Sequence, residues 1–152
     1  MSAPVPLSAD PTRAWRRRVA ELALACAGSF AADEPARLRE LGDLIAADPA
    51  SLTGGMALAD RDEWDRLAAG GAALVAVLHL IEAGEGGYLL SGGAGGGPMA
   101  TVVLPGQGEE VTASGDTPAL ALIGALALAV AERGEARLIP ADLRAPDGVR
   151  LN

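Results

Sequence analysis

The chain has 152 residues, half of them apolar, a formal net charge of −8, one cysteine and one histidine. That is enough to bury one ordinary core without a disulfide or a structural metal, and the lone Cys26 excludes an intramolecular disulfide. Aromatics are few, so the core is expected to be built from small side chains and closely approaching backbones. In chain order, residues 1–10 lack the basic start and apolar run of a secretory signal and read as a disordered lead-in. Asp10 followed by Pro11 marks a helix start, and Gly28 a stop; Trp15, Val19, Leu22 and Cys26 recur between them at helical spacing. A second helix is expected over about 34–47, with Pro35 in its first turn, Leu38, Leu41, Leu44 and Ile45 on one face, and Pro49 barring its continuation. A third, long helix is expected over about 61–83. It opens on a capping box of Asp60 and Glu63, and Gly70-Gly71 in its middle marks a kink or a close packing contact.

Three short strands follow at 87–92, 99–105 and 109–115, separated by glycine-rich or Pro-Gly connections, the pattern of an antiparallel meander. The second is apolar on both faces, as a strand covered on both sides is, while the third alternates like an edge strand. Thr117-Pro118 then opens a helix that is apolar around nearly its whole circumference and is expected to stop at Gly134. A helix of that kind lies between layers or in a homodimer interface. The tail holds a short strand at 137–139 and a turn at Asp147-Gly148. The resulting fold class is α+β: N-terminal helices, then a helix, a three-stranded antiparallel sheet and a helix in layers. Composition shifts near Ser51–Gly55, separating a helical segment (11–50) from an α+β segment (51–152) of one compact domain.

VTASGDTPALALIGALALA, Val111 to Ala129, resembles small phage-encoded α-β-α sandwich domains, in which a last strand runs into an Asp-Thr-Pro helix start and an alanine- and leucine-rich helix. The likeness covers residues 60–134, although the strands here carry fewer aromatics than that family's. It implies a phage or prophage accessory protein and transfers no catalytic motif.

Chemistry-bearing patterns are sparse. LSGGAGGGPMA, Leu90 to Ala100, lacks the third glycine of a dinucleotide fingerprint and the lysine of a P-loop, and it leads into a strand, so a flexible hairpin connection is expected. His79 lies in an apolar stretch with Glu82 one turn on; a partly buried histidine bonded to Glu82 is the plainer reading than a metal ligand or base. Cys26 reads as a buried, inert thiol. The acids of DRDEWDR, Asp60 to Arg66, suit a helix N-terminus, and Trp64 among charges also suits an exposed anchor at a protein interface. Arg39 to Gly55 has two-thirds of a helix-turn-helix pattern, with WRRR at Trp15–Arg18 as added phosphate contacts. Its recognition helix would have to run through Thr53, Gly54 and Gly55, which are poor helix formers.

All twelve basic residues are arginine, as a GC-rich coding sequence produces, and between Leu67 and Glu132 there is no arginine at all. Such a surface repels nucleic acid and anionic membrane and attracts a basic partner; in the plain alternative it only keeps an apolar protein soluble. The apolar runs are too short to span a bilayer. These features lead to the expectation of a cytoplasmic, non-enzymatic, cofactor-free and metal-free acidic protein that binds and modulates or inhibits a basic host protein. Partner-facing residues are expected at Asp62, Trp64, Asp65, Glu85, Glu109 and Glu110, without direct nucleic-acid or membrane contact. An acidic chaperone or assembly factor, and a helix-turn-helix DNA-binding regulator, are the alternatives.

Overall fold

Asp10 caps the first helix by accepting the Thr12 N–H at 3.0 Å, and Pro11 starts that helix, α1, Pro11–Ala27. The structure is a computed structural model that describes residues 10–49, 53, 56, 58, 60–93, 95–106 and 109–138. Most of residues 1–10, most of the 50–59 connection, residue 139 of the expected tail strand and the turn at Asp147-Gly148 lie outside them. α1 buries Trp15, Val19, Leu22 and Cys26, the stripe read from sequence. A 3-10 turn, Ala31–Asp33, leads into α2, Glu34–Ala46, which buries Leu38, Leu41, Leu44 and Ile45.

The expected long third helix is two helices, α3 (Arg61–Ala69) and α4 (Ala73–Ala83). Gly70-Gly71 ends the first instead of kinking it. Gly71 adopts the left-handed conformation (φ 75°), its N–H bonds to Ala68 O at 3.3 Å, and the next N–H, of Ala72, reaches back to Leu67 O at 2.8 Å. This is a Schellman close, which glycine enters without a steric penalty. Helix α4 ends in the same way, with Gly86 N–H on Ile81 O (2.9 Å) and Glu85 N–H on Glu82 O (3.0 Å). Here the left-handed position holds Glu85, at φ 61°, the one described non-glycine residue with positive φ. A left-handed non-glycine residue costs about 1–2 kcal/mol, and glycine's greater freedom in the unfolded chain returns roughly half of that. Glu85→Gly is therefore expected to raise stability by about 0.5–1 kcal/mol in urea denaturation; an unchanged or lower midpoint refutes the strain.

The sheet has the order β1-β2-β3, all antiparallel: β1 Gly87–Gly93, β2 Gly96–Val103 and β3 Val111–Ser114. Glycines expected to be a slack connection are mostly strand. Gly93 pairs with Gly96, and Gly95 between them supplies the positive φ (89°) that a tight hairpin turn needs. Between Ser91↔Met99 and Gly93↔Gly96 the register shifts, leaving Gly92 alone opposite Gly97 and Pro98. A proline inside a central strand is thereby placed at a bulge, where its missing N–H breaks no regular ladder bond.

Thr117 caps α5, Pro118–Leu138, through its Oγ1 and the Leu120 N–H at 3.1 Å. The helix runs through Gly134, because Glu135, Ala136, Arg137 and Leu138 are good helix formers and one glycine costs only about 1 kcal/mol. It also takes up Arg137 and Leu138, the first two residues of the expected tail strand. α5 is the centre of the molecule. One side packs on α1 and the other on β2 and β3, with further contacts to α2 and α4. Leu120 through Ala127 are buried without interruption, which accounts for a helix that is apolar all round. The fold is α+β, in the chain order helix, sheet, helix after the N-terminal helices. One continuous core joins Trp15 and Leu38 of the helical segment to Trp64, Val102 and Leu126.

Ala100 and Val102 of β2, and Leu104 just beyond it, are buried in that core, whereas Leu89, Met99 and Thr112 on the opposite face of the sheet are exposed. Among the described residues no element covers the second face of that strand as expected, and Thr101 and Val103 are half-buried.

Candidate functional site

Asp60 caps α3 by accepting the N–H groups of Asp62 (2.9 Å) and Glu63 (3.2 Å). Glu63 does not return the bond as a capping box would; its carboxylate pairs with Arg66 at 2.5 Å. Arg61 bridges Asp43 of α2 at 2.5 Å and Asp65 at 3.3 Å. Donating first to Asp43 and then to Asp65 holds the Arg61 guanidinium above its ordinary pKa, and donating to Glu63 does the same for Arg66. The acids around Asp60–Arg66 are thus engaged locally: one caps, and Glu63 and Asp65 meet arginines. Asp62 is exposed at the helix N-terminus, where its charge meets the positive end of the helix dipole.

Trp64 is not an exposed anchor. Only 5% of it is accessible, and its indole N–H donates to Leu38 O at 3.0 Å. It lies over Gly42, where a Cβ would come within 2.5 Å of Nε1. Burying an indole is favourable only when its N–H finds a partner, and α2 supplies one through the gap that glycine leaves. Trp15 is held alike, donating to Leu44 O at 2.7 Å. Both tryptophans therefore fasten α2, from opposite flanks.

A groove of about 210 Å³ runs between α3 and α4, floored by Leu58, Trp64, Leu67, Ala76, Leu80 and Ala83, with Asp60, Glu63 and His79 at its rim. Sequence reasoning missed this groove. Leu67 and Leu80 carry core-type spacing, and only the break at Gly70-Gly71 folds α4 back beside α3 so that the floor forms. His79 is exposed, not partly buried. Glu82, its expected partner, accepts the Tyr88 hydroxyl at 3.3 Å.

The remaining expected partner residues do not converge with this groove. Glu85 sits in the α4–β1 turn, and Glu109 and Glu110 precede β3; all three are exposed. A second cleft of about 380 Å³ lies where the C-terminal end of α1 meets the sheet, lined by Phe30, Gly97, Gly115 and Asp116 among others. Phe30 is 70% exposed there, which the sequence did not signal.

Cys26 is fully buried, and burial pushes its thiol up to about 12, against a smaller opposite pull from Arg37. A thiol held protonated is a poor nucleophile, in keeping with its place in the α1–α5 contact beside Gly124. Among the described residues no three His, Cys, Asp or Glu side chains gather as metal ligands, and no helix is long and apolar enough to cross a membrane. Thr53, where a recognition helix would run, is a buried turn residue whose hydroxyl bonds Asp48 at 2.8 Å. Searches of protein-family models, curated proteins and solved structures found no match to this chain.

Proposed function

We propose that the protein is a non-enzymatic acidic interaction protein, encoded by a phage or mobile element, that binds a basic host protein and modulates or inhibits it. A nucleic-acid-handling defence complex is the kind of target such a surface fits. The observation that carries this reading is the charge of α4, the sheet and α5. Glu82, Glu85, Glu109, Glu110, Asp116 and Glu132 are all exposed, and no arginine occurs from Leu67 to Glu132. A one-sign field over a rigid scaffold speeds encounter with an oppositely charged partner and weakens as salt screens it. The apolar groove between α3 and α4, rimmed by Asp60 and Glu63, supports a second reading as an acidic chaperone or assembly factor.

The test is capture from host lysate on the immobilised protein, with identification of what is retained. Basic proteins are expected at low salt and are expected to elute as salt rises. The triple variant Asp62→Asn/Glu85→Gln/Glu110→Gln should weaken capture about tenfold, since each rim charge contributes well under 1.4 kcal/mol. Retention of no basic protein at low salt, or retention indifferent to salt, refutes the reading. Preferential retention of unfolded chains in place of one basic protein favours the chaperone reading.

A further inference from the structure

The two edges of the sheet are built differently. β3 is four residues long and is preceded by Glu109 and Glu110, charges that guard an edge against pairing. β1 is seven residues, GYLLSGG, with no charge and no proline, and Gly87, Tyr88, Leu89, Ser91 and Gly92 are all exposed. Leu89 is 64% exposed on the sheet's open face, beside the exposed Met99 of β2. Among the described residues, β2 is the only strand hydrogen-bonded to β1. An edge of this length that is uncharged and partly apolar is a template for another strand.

Charge identifies the strand that fits. The chain carries −8, so two copies repel over most of their surfaces, yet from Gly86 to Gly108 there is no charged residue. β1 and the strand beside it form the one long stretch over which an identical acidic molecule approaches without opposing like charge. In an antiparallel pairing about a two-fold axis near Leu90, Glu85 lies five residues from the axis. At about 3.3 Å per residue the two copies of Glu85 stand roughly 30 Å apart, well beyond a Debye length of about 8 Å. Each then faces the partner's uncharged hairpin tip. Such contact is isologous and closes on itself, and it lines up two Leu89 side chains on one open face. The apolar helix through which a dimer is expected from sequence, α5, buries most of its described apolar side chains, Ala119 to Ala131, inside the chain, so β1 offers the more exposed apolar element. We infer that the protein self-associates through antiparallel β1–β1 pairing, forming a six-stranded sheet across a two-fold axis.

This inference is independent of the basic partner, and salt separates the two. Capture of a basic protein weakens with salt, whereas a dimer of two like-charged copies tightens as salt screens their repulsion. The test is size-exclusion chromatography with light scattering over a series of protein and salt concentrations. A mass approaching twice 15.2 kDa is expected as either rises. Leu89→Glu should raise the dissociation constant at least tenfold. Because Leu89 is already exposed, the variant should keep its far-ultraviolet circular dichroism. Ser114→Lys, exposed on the opposite edge strand, should dimerise like the parent. A constant monomer mass at the highest concentration overturns the inference, as does a Leu89→Glu dimer as tight as the parent's. Dissociation by Ser114→Lys, or a dimer that loosens with salt, moves the contact to another surface and overturns it equally.

Discussion

Gly42→Ala is expected to destabilise the protein by about 2–4 kcal/mol, although alanine is the better helix former by about 1 kcal/mol. The added methyl would lie 2.5 Å from Trp64 Nε1 and 2.9 Å from Cδ1, so the indole must move. Moving it breaks the bond to Leu38 O. A buried N–H left without a partner costs about 1–3 kcal/mol, and overpacking a filled site adds about 1–3 kcal/mol. Together these exceed the propensity gain. The coupling is checked by a double-variant cycle in urea. In a Trp64→Leu background, where no ring or N–H remains to be displaced, Gly42→Ala should become neutral or stabilising. Equal effects in both backgrounds would show that the two residues do not act on each other.

Leu126→Ala is the second large expectation, a loss of about 3–4 kcal/mol with unfolding still a single transition. Leu126 is fully buried among Trp15, Val19, Leu41, Leu44, Ile45 and Met56, where the remaining void is only about 10 Å³. Truncating leucine in a site so well filled loses its transfer free energy and leaves a cavity, costing about 2–5 kcal/mol in comparable cores. The side chains around Leu126 come from α1, α2, α5 and the connection that holds Met56, so loosening it weakens both halves of the chain together. Circular dichroism and tryptophan fluorescence should therefore report the same midpoint. Two separated transitions would show that residues 11–49 are a module of their own.

How far the fold was readable follows from the range of each signal. Asp10-Pro11, Asp60 and Thr117-Pro118 act on backbone groups two or three residues away, and each helix start appears where those residues place it. Glycine was read less well because its meaning depends on neighbours. Gly71 ends a helix by taking a left-handed turn, Gly134 is carried through by the helix formers after it, and Gly93 and Gly96 are paired as strand around the unpaired Gly92 bulge. Trp64 illustrates the limit for sites. Its sequence neighbours are charged, but the residues that bury it, Leu38 and Gly42, lie on another helix, and no local pattern announces them. The carboxylates were legible as α3's complement to its own N-terminus. The groove beside them was not, since it depends on how α4 folds back.

The central position of α5 has a consequence for the order in which the molecule is made. Cys26 of α1 lies against Gly124, roughly a hundred residues later in the chain, so the main contact of the first helix waits for α5 to be synthesised. Until α5 has left the ribosome, Trp15, Val19 and Leu22 have no central helix to cover them. A nascent chain truncated before Thr117 therefore exposes an apolar stripe that chaperones recognise.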